Sequence, residues 1–354
     1  MTSTAAKRID HPAGLKYPFA NHPEPGEARE VAPGVRWVRM PLPFVLDHVN
    51  VWLLDDVDGL TIVDTGIGGV QSVHDLWEHL LSGPCAGRVI RRIIVTHCHP
   101  DHFGLARWLQ ERTGAPVWVT QGEFLLAYAW WGQLPGHNVD SMLRFFHKHG
   151  LDQDIMDRLA GRGPTYNKRV PTLPEEYERM LDGDTLAVGG NAWRVMVGHG
   201  HSPEHAALYC PALNALIAGD MILPRISTNI SVLSTTPNAD PLRMFLDSLS
   251  RYATALPRDT LVLPAHGRPF FGLATRAAAL HAHHRERCAE LLAAAETPKT
   301  AAQLLPVLFP RQLDAHQTIF AMGEAIAHLN YLCHAGKLTG VEGDDGIVHF
   351  SKRY

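Results

Sequence analysis

Four side chains that bind metal ions well, His97, His99, Asp101 and His102, fall within six residues of the segment I-I-V-T-H-C-H-P-D-H-F-G, Ile93 to Gly104. Three imidazoles and a carboxylate packed this closely repel one another when charged and lose hydration when buried, and a bound cation removes both costs. The alternative is a polar surface turn in a chain that carries 22 histidines. It loses ground because one pattern, an apolar strand ending in His or Asp, occurs four times: at positions 97 to 102, at His201 in G-H-G-H-S-P-E-H, at Asp220 after A-L-I-A-G, and at His266 in T-L-V-L-P-A-H-G. Strand ends on one edge of a sheet sandwich can converge on a single point.

The elements that must hold these residues follow from hydrophobic periodicity. Ile93, Ile94 and Val95 read as a buried strand, and Leu105, Trp108 and Leu109 continue at helical spacing beyond Phe103, so the first ligand group sits on a strand-to-helix turn. Upstream, V-R-W-V-R-M, V-N-V-W-L-L and L-T-I-V-D-T-G are short β-rich segments separated by turn residues, which predicts antiparallel strands from Val35 onward, then a helix around Val70 to Leu81. Asp64 ends the third segment and is either a turn aspartate or a carboxylate that orients a metal-bound histidine. Residues 1–33, rich in Pro, Ala and Glu, predict an extended arm. Residues 123–180 predict a helical insertion whose Trp130, Trp131, Tyr128 and Phe145 either line a substrate pocket as a cap or pack as a helical hairpin. Strands resume at D-T-L-A-V-G-G, and from Leu273 the chain turns helical before closing on two β segments joined by E-G-D-D-G.

Composition narrows the function classes. A formal charge of −4 offers no global attraction for nucleic acid or anionic lipid. The five cysteines are odd in number and form no C-x-x-C pair, which fits a reduced interior. The first residues have no apolar signal-like region and no run of about 18 apolar residues occurs, so a cytoplasmic protein without membrane contact is expected. Helices followed by a hairpin over 273–354 suggest a small winged-helix module. Residues 285–354 carry seven Lys or Arg against eight Asp or Glu, with Glu342, Asp344 and Asp345 in the wing, so a structural role or homodimerisation is favoured over DNA binding.

T-H-C-H-P-D-H resembles the H-x-H-x-D-H signature of the metallo-β-lactamase fold superfamily, and V-D-T-G, G-H-S, A-G-D and A-H-G resemble its other motifs in the same order over residues 34–272. The C-terminal portion is similar to the winged-helix tail of one branch, and the whole resembles the glyoxalase II-like members. The resemblance implies an α/β fold, an αββα sandwich with a metal site at the shared edge of its sheets. It implies two divalent ions, zinc first, with iron or manganese tolerated by mixed N and O donors. His97, His99 and His201 would hold one, and Asp101, His102 and His266 the other, with Asp220 bridging. A shared water becomes hydroxide near neutral pH and serves as nucleophile, with Asp101 orienting it or moving its proton. Both ligand sets are retained, unlike persulfide-oxidising or flavodiiron members, which favours dinuclear hydrolysis.

Three histidines compete in the third motif. Family position selects His201, places His205 behind the ligands or facing substrate, and leaves His199, where a proline is usual, as structural. Cys98 should point away from its neighbours by strand-like alternation. The superfamily implies lactams, thioesters, lactones and phosphodiesters as substrates. The apolar insertion and mildly acidic surface favour a carboxylic ester or thioester, such as an acyl-CoA or glutathione thioester, or a lactone. An endoribonuclease or other phosphodiesterase is the rival reading, and a true β-lactamase does not fit a chain without an export signal. Arg225 and Asn229, in P-R-I-S-T-N-I-S-V after Asp220, are placed at the pocket mouth or in plain loop structure.

Overall fold

The computed structural model describes residues 14–353, so the first thirteen residues of the expected arm lie outside the described residues. The first sheet has seven strands in chain order: β1 (Arg29–Ala32), β2 (Val35–Pro41), β3 (His48–Asp56), β4 (Gly59–Val63), β5 (Val89–Ile94), β6 (Val117–Val119) and β7 (Glu178–Arg179). The sheet therefore starts at Arg29, not Val35. β1 is a short, half-exposed edge strand whose R-E-V-A sequence gives little apolar alternation. Strands β1 to β4 run antiparallel and β4 to β7 parallel. Parallel neighbours need crossovers. Helix α1 (Gln71–Ser82) supplies the first, and α2 (Pro100–Phe103) with α3 (Ala106–Thr113) the second. Between β6 and β7 the chain inserts α4 (Gln121–Trp131), α5 (Val139–Lys148), α6 (Gln153–Ala160) and α7 (Tyr166–Arg169).

The second sheet runs β12-β11-β10-β9-β8, from β8 (Thr185–Val188), β9 (Asn191–Gly198), β10 (His205–Cys210), β11 (Ala215–Gly219) and β12 (Leu261–Pro264). Only the β11–β12 pair is parallel, and α8 (Pro241–Ala255) lies in its connection. Three more helices, α9 (Leu273–Ala294), α10 (Ala301–Leu308) and α11 (Ala315–His334), precede a hairpin of β13 (Leu338–Glu342) and β14 (Val348–Lys352).

Alternation assigns each strand face to a layer. Trp37, Trp52, Val63 and Ile94 of the first sheet pack against Trp193, Val195, Leu208 and Ile217 of the second, forming the inner layer. Their neighbours point outward: Val38, Val51 and Ile93 meet Trp77 of α1 and Leu109 of α3, while Met196, Ala207 and Leu216 meet Phe245 of α8 and Leu280 of α9. This is an αββα sandwich. Burying one large apolar side chain contributes about 1.5–3 kcal/mol. A one-residue slip would expose a whole face, so the inner layer fixes the register that brings the strand ends together.

The outer core beyond the second sheet is continuous. It joins Phe145, Phe146, Met156 and Leu159 of α5 and α6 to Leu291, Met322 and Ile326 of the C-terminal helices. Phe145 thus belongs to the outer core, and its free edge lines a cleft shared with Asn330 and Phe350 of the C-terminal part.

Candidate metal centre

Each donor sits where a strand ends at the common edge. His97 and His99 follow β5; Asp101 and His102 lie on the single turn α2, which starts with Pro100 at its first position. His201 occupies the β9–β10 turn, Asp220 follows β11, and His266 follows β12. Donor atoms of His97, His99, His201 and Asp220 lie within 4.8 Å of one another, and so do those of Asp101, His102 and His266. His97 Nε2 is 2.9 Å from His99 Nδ1 and 3.2 Å from His201 Nε2. Asp220 faces both groups. Its Oδ2 is 3.4 Å from His201 Nε2, while its Oδ1 is 3.3 Å from His266 Nε2 and 3.6 Å from His102 Nε2. Asp101 Oδ2 is 3.5 Å from both His102 Nε2 and His266 Nε2.

Surrounding groups orient the imidazoles. Asp64, buried and at φ +64°, takes Thr96 N–H on Oδ1 and faces His102 Nδ1 at 2.8 Å with Oδ2, which turns His102 Nε2 toward the cluster. His266 Nδ1 donates to the His48 carbonyl, and His201 Nδ1 to the Asn229 carbonyl. Fixing one nitrogen in this way leaves the other as the ligating atom. His205 lies behind Asp220: its Nε2 accepts the Asp220 N–H at 3.0 Å. The glycine of A-G-D is required because a Cβ at Gly219, at φ +49°, would overlap the His205 ring.

His199 braces the turn, its Nδ1 lying 2.6 Å from the Pro203 carbonyl. Asn229 serves through its backbone carbonyl while its side chain accepts from Ser231. Arg225 is exposed, with its charge near the Tyr17 hydroxyl. Cys98 is buried in the outer core, with its thiol pushed well up by burial beside Glu123. Of the four insertion aromatics, Trp130 reaches the site, stacking on His99 at 6.1 Å and 7°.

One residue that the motifs do not point to is Glu123. Fully buried in the first turn of α4, it accepts the Cys98 N–H (2.9 Å) on Oε2, and the Ser202 hydroxyl (2.6 Å) and Glu204 N–H (2.7 Å) on Oε1. One carboxylate thereby ties the loop of His97 and His99 to the loop of His201. An acidic residue just inside a helix start is too common to signal this by itself.

Electrostatics prepare the cluster for cations. Burial, reinforced by neighbouring imidazoles, pushes His97 well below the ordinary value, and burial beside His201 takes His99 down to about 3, so both are neutral and available to a cation. Burial opposes ionisation of the carboxylates, yet His102 and His266 outweigh it and hold Asp101 at about 2 and Asp220 well below the usual range. For the same reason His102 and His266 are raised against the effect of burial. His102 Nε2 and Asp220 Oδ1 are buried without a hydrogen-bond partner. Each such orphan costs about 1–3 kcal/mol, and a cation between them satisfies both. Three imidazoles with one carboxylate, beside two imidazoles with another, are donors that zinc accepts.

A sandwich of this topology, with histidine and aspartate donors gathered at its edge, defines a metal-binding hydrolase class, and the comparisons agree. Residues 45–266 match the metallo-beta-lactamase superfamily model and residues 288–353 match the metallo-beta-lactamase-like C-terminal domain model. The chain belongs to the metallo-beta-lactamase superfamily. A solved beta-lactamase domain protein from Burkholderia ambifaria shares 46% identity at a TM-score of 0.89, over 96% of this chain and 98% of that one. The probable metallo-hydrolase YqjP of Bacillus subtilis (strain 168) is 25% identical over 83% of this chain and 91% of its own length. An atrochrysone carboxyl ACP thioesterase of Aspergillus fumigatus is 25% identical over 63% of this chain and 38% of its own.

Proposed function

We propose that this chain is a dinuclear metal-dependent hydrolase of carboxylic esters or thioesters. The observation that carries the reading is Asp220, whose two oxygens face two separate histidine groups. His97, His99 and His201 would hold one divalent ion, Asp101, His102 and His266 a second, and Asp220 would belong to both. Zinc fits the donors best, and iron or manganese is tolerated. Such a pair of ions supplies Lewis acidity and a water acidic enough to attack near neutral pH.

The chain's own residues prepare that chemistry. Asp64 and the carbonyls of His48 and Asn229 fix the imidazoles, and Asp101, ionised and partly open to solvent, would orient the attacking water or accept its proton. The Trp130 ring over His99 gives an apolar wall suited to an acyl group, and the thioesterase relative supports a thioester. A small-molecule substrate is the matching partner; among the described residues no helix is long and apolar enough to cross a membrane. The test is a panel of aryl esters, acyl thioesters and single-stranded RNA on metal-replete protein. Ester or thioester cleavage abolished by His102→Ala is expected. Cleavage of RNA alone would overturn the reading.

A further inference from the structure

Large apolar side chains exposed singly are ordinary, but three of those exposed here, Phe44 (42%), Val45 (66%) and Phe320 (42%), belong to one aromatic surface that leads away from the metal centre. It starts at His99, on which Trp130 stacks, and Trp130 packs against Tyr166 at 5.5 Å. Tyr166 opens α7 and donates its hydroxyl to the Cys98 carbonyl, between the two ligands of the first motif. One helical turn on, the same helix carries Arg169, whose guanidinium lies 5.5 Å from the Phe44 ring. Phe44 stacks on His316 at 5.8 Å, and His316 meets Phe320 edge-on at 4.9 Å. Four separate segments, α4, α7, the β2–β3 turn and α11, therefore contribute to one surface.

Two arginines stand beside this surface. Arg169 holds its guanidinium against the Phe44 ring, and the His316 imidazole is lowered first by burial and then by Arg162 and Arg169, with Asp314 acting the other way. Asp314, whose carboxylate also acts on His316, caps α11 by accepting the Gln317 N–H. A turn tip that exposes Phe and Val beside two arginines is poorly suited to bare solvent. It suits a ligand with an apolar body and an anionic end, the rings covering the first and the guanidinium groups the second.

Resting on the hydrolase reading above, we propose that the substrate is an ester or thioester whose scissile carbonyl is separated from a carboxylate or phosphate by an extended, largely apolar arm. The carbonyl lies at the metal centre, the arm runs over Trp130 and Tyr166 beside Phe44, and the anionic end meets Arg169 and Arg162. The α11 contribution gives the C-terminal part of the chain a place in substrate selection.

The experiment uses the full metal-loaded chain and three S-phenyl thioesters: butyryl, the monoanion of dodecanedioyl, and the uncharged methyl ester of the latter. The dodecanedioyl monoanion is expected to have at least a tenfold lower KM than the other two. Arg169→Gln with Arg162→Gln should erase its advantage over the methyl ester, and Phe44→Ala with Phe320→Ala its advantage over butyryl, each through KM. Binding of dodecyl phosphate, followed by calorimetry, gives a readout without turnover and should weaken about tenfold in both double variants. If no ester or thioester is cleaved while that binding pattern holds, the hydrolase reading falls and the amphipathic site stands. Equal KM values for the three thioesters, or dodecyl phosphate binding that neither double variant weakens, would overturn the proposal.

Discussion

Glu123→Ala isolates what one buried carboxylate contributes to the metal centre without touching a ligand. The substitution removes the acceptor of three donors, of which the Cys98 N–H is buried and the Glu204 N–H and Ser202 hydroxyl are partly buried. Hydrogen bonds to a charged acceptor contribute about 1.5–3 kcal/mol each, and a buried donor left alone costs about 1–3 kcal/mol. Relief of the desolvation of the carboxylate offsets part of this, leaving a net loss of about 3 kcal/mol in the metal-free protein, read from the midpoint of chemical denaturation.

The loops that carry His97, His99 and His201 also lose their common tie, which predicts a 10–100-fold weaker ion affinity in chelator competition. Glu123→Gln is the control with the same shape. Its amide oxygen can keep Ser202 and Glu204, but its NH2 group then faces the Cys98 N–H, so an intermediate loss is expected. A folded Glu123→Ala protein that binds its ions within about threefold of the parent would refute the reasoning.

Two further perturbations probe the C-terminal helices. Burial takes the His328 imidazole down from 6.5 to about 4, so between these values the unfolded chain binds a proton that the folded chain refuses. Stability is full above about pH 6.5 and falls on acidification toward pH 4, by at most about 3 kcal/mol from this group; His328→Gln should flatten urea-denaturation stability across that window, and an unchanged slope would count against it. Gly323 lies so close to the Ser231 loop that a Cβ would sit 2.6 Å from Ser231 Oγ. Gly323→Ala gains up to about 1 kcal/mol of helix propensity but costs about 1–3 kcal/mol of overpacking, and because Asn229 in that loop holds His201, weaker ion binding by calorimetry should accompany the lower stability.

The histidines and aspartates that gather at the sheet edge were legible because each lies just beyond an apolar strand, a signal that short-range pattern carries. The helix at 71–82, the inserted helices and the closing hairpin were legible for the same reason. What pattern does not carry is contact between distant segments. Glu123 meets residues 98 and 202–204, and nothing within its own helix marks it. Phe145 reads equally well as pocket wall or core, and only the packing of distant segments shows that it is both, part of the outer core and the lining of a cleft beside the C-terminal helices. The helix at Pro241–Ala255 has no counterpart among the expected elements, although Leu242, Phe245, Leu249 and Tyr252 form a buried stripe at helical spacing and Arg243, Asp247, Ser250 and Arg251 take its exposed face, so this helix was readable from pattern.

The most direct test of the account is the number of ions the folded chain binds, measured by elemental analysis after equilibration with zinc and removal of free metal. The account predicts about two per chain, falling to about one in His266→Ala, whose loss leaves His97, His99 and His201 intact. A parent protein that holds one ion or none under those conditions, or a His266→Ala variant that still holds two, would contradict it.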